Sequence, residues 1–160
     1  MSRPPPPSRT LAPVRTLAPV RDDYVHWHRQ TLRWADNDAY GHVNNVVYAQ
    51  LFDSAVNAWL VERGLLDIVA GDPIALVVAT SCDYFTPLAF PAEVEVGLAV
   101  VELGRTSVRY RLGVFAADAG QPAAAGAFVH VAVSRVGRQP VPWPDQWRAA
   151  LEALGAPVRR

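Results

Sequence analysis

The spacing of apolar positions changes several times along the chain, and each change marks an element. Tyr24 to Trp34 is rich in aromatic and β-branched residues and reads as a strand. The stretch from Trp34 to His42 is dense in turn formers and marks a loop. Asn44 or Asn45 can then cap a helix through a side-chain amide oxygen. Beyond it Val47, Leu51, Phe52, Ala55, Trp59 and Leu60 recur at the three-to-four spacing of a helix face. Val56, Ala58 and Val61 fill much of the rest, so this helix is expected to be apolar almost all round, largely buried, and stopped by Gly64.

The remainder is β-like. Strands are predicted over Ile74 to Phe85, Glu93 to Leu103, Ser107 to Ala116 and Ala123 to Val136, with Gly104-Arg105-Thr106 turning the second into the third. Pro140, Pro142 and Pro144 end the sheet, and Asp145 is placed as the cap of a short last helix, Gln146 to Leu154. One strand, one long buried helix and four antiparallel strands give an α+β layout, a sheet wrapped around a central helix. Residues 22–160 are read as that single domain. Residues 1–21 stand apart as a dispensable, flexible tail, with a proline run, Pro4 to Pro7, and a tandem duplication in which Arg9 to Val14 is repeated as Arg15 to Val20.

With 160 residues, 51% of them hydrophobic and 19% charged, the chain has material for one well-filled core. Fifteen basic residues, all Arg, balance fifteen acidic ones, which argues against holding nucleic acid or an anionic membrane by bulk charge. The single cysteine, Cys82, excludes an internal disulfide and a Cys-rich zinc site, fits a cytoplasmic, reducing compartment, and reads as a small buried residue. No run approaches the ~18 apolar residues of a membrane span, and the N-terminal residues lack a signal-type apolar core. His26, His28 and His130 fall on predicted strands without carboxylates at ligand spacing, so no metal and no cofactor is assigned.

The candidate chemistry lies in Arg33-Trp-Ala-Asp36-Asn-Asp38-Ala-Tyr40-Gly41-His42-Val-Asn44-Asn45-Val-Val-Tyr48. This stretch resembles the active-site signature of hotdog-fold acyl-CoA thioesterases of the 4-hydroxybenzoyl-CoA thioesterase-like family. Tyr84-Phe-Thr-Pro87-Leu-Ala-Phe90-Pro-Ala-Glu93 and the closing Val141 to Leu151 are similar too, so the resemblance covers about residues 24–154. It implies a hotdog fold and hydrolysis of acyl-CoA to free acid and CoA. Asp38 matches the family's catalytic carboxylate, which either attacks the thioester carbonyl or activates water. The family's oxyanion donor, a backbone N–H at the helix start, falls at about Asn45. A helix N-terminus suits that task, because its first N–H groups are unpaired and its dipole end is positive.

Around these, His42 is a candidate for orienting the carboxylate, contacting the carbonyl or shuttling a proton, against a reading as a turn histidine. Tyr40, Gly41, Asn44 and Tyr48 are candidate substrate contacts, with capping the first reading for Asn44 and core packing the rival for Tyr48. Arg105, Thr106 and Arg109, at a hairpin turn, are candidates for the CoA phosphates, against solvated strand-edge charge. Asp36 is read as structural, paired with Arg33. The alternatives are an acyl-carrier-protein thioesterase and a non-catalytic acyl-CoA-binding hotdog protein. Tyr40 stands where the plant carrier-protein branch has Asn, and Asp38 argues against a mere binder. A hydratase on the same fold has Asp and His five apart with Pro between; Asp38 and His42 are four apart. The family pairs hotdogs edge to edge and shares each site between subunits, which implies a homodimer or homotetramer here.

Overall fold

The computed structural model describes residues 18–155, so the proline run, the first repeat and the start of the second lie outside the described residues. The elements are β1 (His26–Thr31), α1 (Asn45–Glu62), β2 (Ile74–Tyr84), β3 (Glu93–Leu103), β4 (Ser107–Ala116), β5 (Ala124–Val133) and α2 (Asp145–Ala153). All strands pair antiparallel in one sheet of order β1-β3-β4-β5-β2. The α+β layout expected from the sequence is the one observed.

The alternation of β3 and β4 sends Val94, Val96, Leu98, Val108, Tyr110, Leu112 and Val114 to the face that α1 covers. From α1, Leu51, Phe52, Ala55, Val56, Trp59 and Leu60 meet them. The helix is not buried all round, however. Val46 is 66% exposed and Val61 49%, and Ala49, Gln50 and Asp53 share that open side. A helix lying on one sheet has only one face covered by its own chain, however apolar its sequence.

Other boundaries shift for local reasons. The first strand is trimmed by single 3-10 turns on either side, Arg21–Asp23 and Trp34–Asp36. The last strand stops at Val133 because Ser134 to Gln139 closes a turn, with the Arg138 N–H donating to Ser134 C=O at 3.0 Å. Asp145 is the first residue of α2 rather than its cap, a position held by Pro144. There its charge still favours the positive helix end.

On the sheet's other face Gly97 and Gly113 form a cross-strand pair roofed by Tyr24, and a Cβ at either glycine would collide with the Tyr24 ring or hydroxyl. Arg21, placed with the tail by composition, belongs to the domain. Its guanidinium donates to the carbonyls of Ala119 (2.9 Å) and Ala117 (3.2 Å) and pairs with Glu95 at 2.8 Å. It also lies 4.7 Å over the Trp27 ring and 5.1 Å over Phe115. Hydrogen bonding from Arg21 holds the Glu95 carboxyl below its usual range.

His130 is buried edge-on against Tyr110 and Phe128, its Nδ1 without a hydrogen-bond partner among the described residues. Burial lowers its pKa to about 4. Below pH 6.5 the unfolded chain therefore takes up a proton that the folded one refuses until about pH 4. Its contribution to stability is complete above pH 6.5 and is lost as pH falls toward 4, by up to about 3 kcal/mol. Chemical denaturation across this window should show that decline, and a His130→Leu variant should show a flatter profile. Equal slopes in the two proteins would refute the assignment.

Candidate active site

The loop between β1 and α1 is built by side chains that satisfy its own backbone. The Asp36 carboxylate accepts from the Arg33 N–H (2.7 Å) and from the Arg33 guanidinium at 3.0 and 2.7 Å, which makes Asp36 the structural carboxylate expected. Those bonds hold its carboxyl below the usual carboxylate range. Its carbonyl takes the Asn44 N–H at 2.8 Å, while Asn37 Oδ1 accepts from the Phe90 N–H at 3.0 Å. The loop is thereby fastened both to the helix start and to the segment after β2.

Within it, the Asp38 N–H donates to His42 C=O (2.7 Å) and the Gly41 N–H to Asp38 C=O (3.1 Å). Gly41 sits at φ +82°, a backbone that a side chain would strain. This tight turn folds two N–H groups onto one carboxylate oxygen: Asp38 Oδ1 accepts from Tyr40 at 2.8 Å and from His42 at 3.3 Å. The second oxygen takes no hydrogen bond from the described residues. One oxygen is anchored and the other is unengaged among the described residues.

At the helix start Asn44 is the cap, its Oδ1 accepting from the Val46 N–H at 3.1 Å and its carbonyl from the Val47 N–H at 2.9 Å. The N–H of Asn45 is left without a partner among the described residues. Asp38, His42, Asn45 and Tyr48 line an open cleft of about 390 Å³ together with Tyr84 and Thr86. Tyr48 is buried, and burial raises its pKa. Its ring meets that of Tyr84 edge-on, centroids 5.2 Å apart at 78°. A carboxylate residue, the first residue of a helix and two tyrosines therefore line one cleft, a set of groups that suits chemistry at a carbonyl whose oxygen gains charge.

Other candidate residues lie elsewhere. Tyr40 is 87% exposed at the loop tip, and neither Tyr40 nor Gly41 lines the cleft. Asn44 contributes by capping. Arg105, Thr106 and Arg109 are not joined to the cleft within one chain. Tyr84 is level with Ala124 and Val114 across the sheet, whereas Arg109 is level with Val129 and Ala79. Arg109 is thus five residues, about 17 Å, further along β4, and it pairs with Glu102 at 3.5 Å. Conversely, Tyr84 and Thr86 were not among the sequence candidates, although the Tyr84 to Pro87 block already stood out as family-like. Among the described residues no group of three or more His, Cys, Asp or Glu side chains comes together to hold a metal, and no helix is long and apolar enough to cross a membrane.

A family model described as the thioesterase-like superfamily matches residues 32–151. No curated protein sequence matches the chain. Among solved structures, the PA5185 protein from Pseudomonas aeruginosa is 50% identical, with a TM-score of 0.86 over 89% of this chain and 99% of that one. The PA2801 protein from the same organism is 30% identical, with a TM-score of 0.74 over 80% of this chain and 98% of that one. A 1,4-dihydroxy-2-naphthoyl-CoA thioesterase from Synechocystis shares the fold at 23% identity, with a TM-score of 0.71 over 78% of this chain and 93% of that one.

Proposed function

The chain belongs to the thioesterase-like superfamily and has the hotdog fold of a thioester hydrolase, and from that premise we propose that it cleaves acyl-CoA to free acid and CoA at the Asp38 cleft. The observation that carries this reading is that Asp38, with one carboxylate oxygen unengaged, and Asn45, whose N–H is unpaired among the described residues, line the same cleft. A thioester carbonyl entering between them receives a hydrogen bond from Asn45 as its oxygen becomes negative. The Asp38 carboxylate either adds to the carbonyl carbon or takes a proton from water that does so. In both routes the C–S bond breaks, the CoA sulfur leaves as thiolate and is protonated, and one water is consumed. In this reading His42, exposed in the cleft lining and bonded through its backbone N–H to Asp38, relays that proton. A chain whose one cysteine is Cys82 suits the reducing cytoplasm, where CoA thiol also persists.

The site is completed by a second copy of the chain. β2 is an edge strand with Leu76, Val77 and Val78 exposed, an open ladder suited to pairing with its like. The side of α1 left uncovered by its own chain adds a further face for a partner. Arg105, Thr106 and Arg109, remote from their own cleft, then have a partner's bound CoA phosphates to serve. A panel of short, long, branched and aromatic acyl-CoAs, followed by release of free thiol, tests the reaction. Failure of the whole panel overturns it.

A further inference from the structure

Strand β2 reaches the start of α1 through one side chain. Tyr84, the last residue of β2, is half-exposed and lines the same cleft as Asp38. Its hydroxyl donates to the Asn45 carbonyl at 3.3 Å, although the two residues are 39 positions apart. The peptide that this carbonyl opens, Asn45 to Val46, is held at its other end too, by the Val46 N–H bonded to Asn44 Oδ1 at 3.1 Å. The preceding peptide, Asn44 to Asn45, is held through the Asn44 carbonyl, which takes the Val47 N–H at 2.9 Å. Both planar units flanking Asn45 are therefore pinned, and the one group on them left open is the Asn45 N–H. Tyr84 is itself seated, because its ring packs edge-on against the buried Tyr48.

We propose that Tyr84 is a positioning residue for thioester cleavage, its hydroxyl holding the Asn45–Val46 peptide, which together with the pinned Asn44–Asn45 peptide fixes Asn45 so that its N–H points at the reacting carbonyl oxygen. This rests on the reading of the cleft as the thioester site. A hydrogen bond to the carbonyl oxygen strengthens as that oxygen gains charge, so a donor allowed to swing loses more in the transition state than in the bound substrate. The loss then falls on kcat rather than KM.

The test uses the full chain and an acyl-CoA that the wild type hydrolyses, with Tyr84→Phe, Tyr84→Leu and Asp38→Asn assayed side by side. Tyr84→Phe keeps the ring against Tyr48 and removes only the hydroxyl. It should lower kcat about tenfold, with KM within about twofold and the melting temperature unchanged. Tyr84→Leu removes the cleft wall as well and should raise KM in addition. A Tyr84→Phe kcat within about twofold of wild type, beside an inactive Asp38→Asn, overturns the positioning role and leaves the site reading standing. A rise in KM as large as the fall in kcat, or a fall in melting temperature that accompanies it, overturns the role as well. If neither Tyr84→Phe nor Asp38→Asn changes kcat, the site reading fails and the proposal with it.

Discussion

Replacing Asp38 by asparagine is expected to lower kcat by about a thousandfold while leaving the melting temperature within about 2 °C of wild type. The structure separates the two effects because the two carboxylate oxygens have different neighbours. Oδ1 accepts from the Tyr40 and His42 N–H groups, and an asparagine carbonyl oxygen in its place can accept the same two bonds. In the proposed reaction the other oxygen supplies the negative charge for attack or for water activation, and an NH₂ group there can do neither. Asp36→Asn reverses the pattern. It removes the charge of a buried carboxylate that binds the exposed Arg33 guanidinium and the Arg33 N–H, so the melting temperature should fall by about 5 °C while turnover changes much less. Steady-state kinetics and thermal melts of both variants decide the matter. An active Asp38→Asn beside an inactive Asp36→Asn would mean that the catalytic carboxylate is Asp36.

The second large effect is expected at β2. Val78 is the residue at which the β2–β5 register shifts, and it is 60% exposed on the open edge. A lysine there places a charge where a second copy would pair, a device that edge strands use against association. Val78→Lys should therefore separate the subunits and lower specific activity about a hundredfold in dilute solution, with the fold of each subunit retained. Activity per molecule should then climb as protein concentration rises, which a misfolded variant would not do. Sedimentation that finds a fully active monomer, in wild type or variant, rules out a site completed by a second copy.

What the sequence made legible follows the range of the forces involved. The bounds of β3 and β4 could be read because alternation and the tight Gly104 turn are local signals, and α1 could be read from its three-to-four apolar spacing. The 3-10 turns at Arg21–Asp23 and Trp34–Asp36 left no periodic trace, since each rests on one carboxylate folding back onto a nearby N–H. The exposed side of α1 was misread because apolar spacing reports what a helix can bury, not what is present to cover it. The clustering of Arg105, Thr106 and Arg109 at one hairpin turn was visible. The distance of Arg109 from the cleft was not, because it depends on how β4, β5 and β2 are aligned. Tyr84 was missed for the same reason: its partner is set by tertiary packing rather than by neighbours in the chain.

The anchoring of Arg21 has a consequence for how the tail can change in length. Arg9, Arg15 and Arg21 stand six residues apart, and both Arg15 and Arg21 are preceded by the same Thr-Leu-Ala-Pro-Val. Excising Arg9 to Val14, or equally Arg15 to Val20, yields one and the same shortened chain, and the residues leading into the Glu95, Trp27 and Phe115 socket keep their identity. Gain or loss of a whole unit thus resets the reach of the tail without altering its mooring. An excision of any other length ending at Val20 brings a different sequence to the socket. Chains with different numbers of the hexapeptide would differ in length ahead of Arg21 while presenting the same neighbouring residues to its socket.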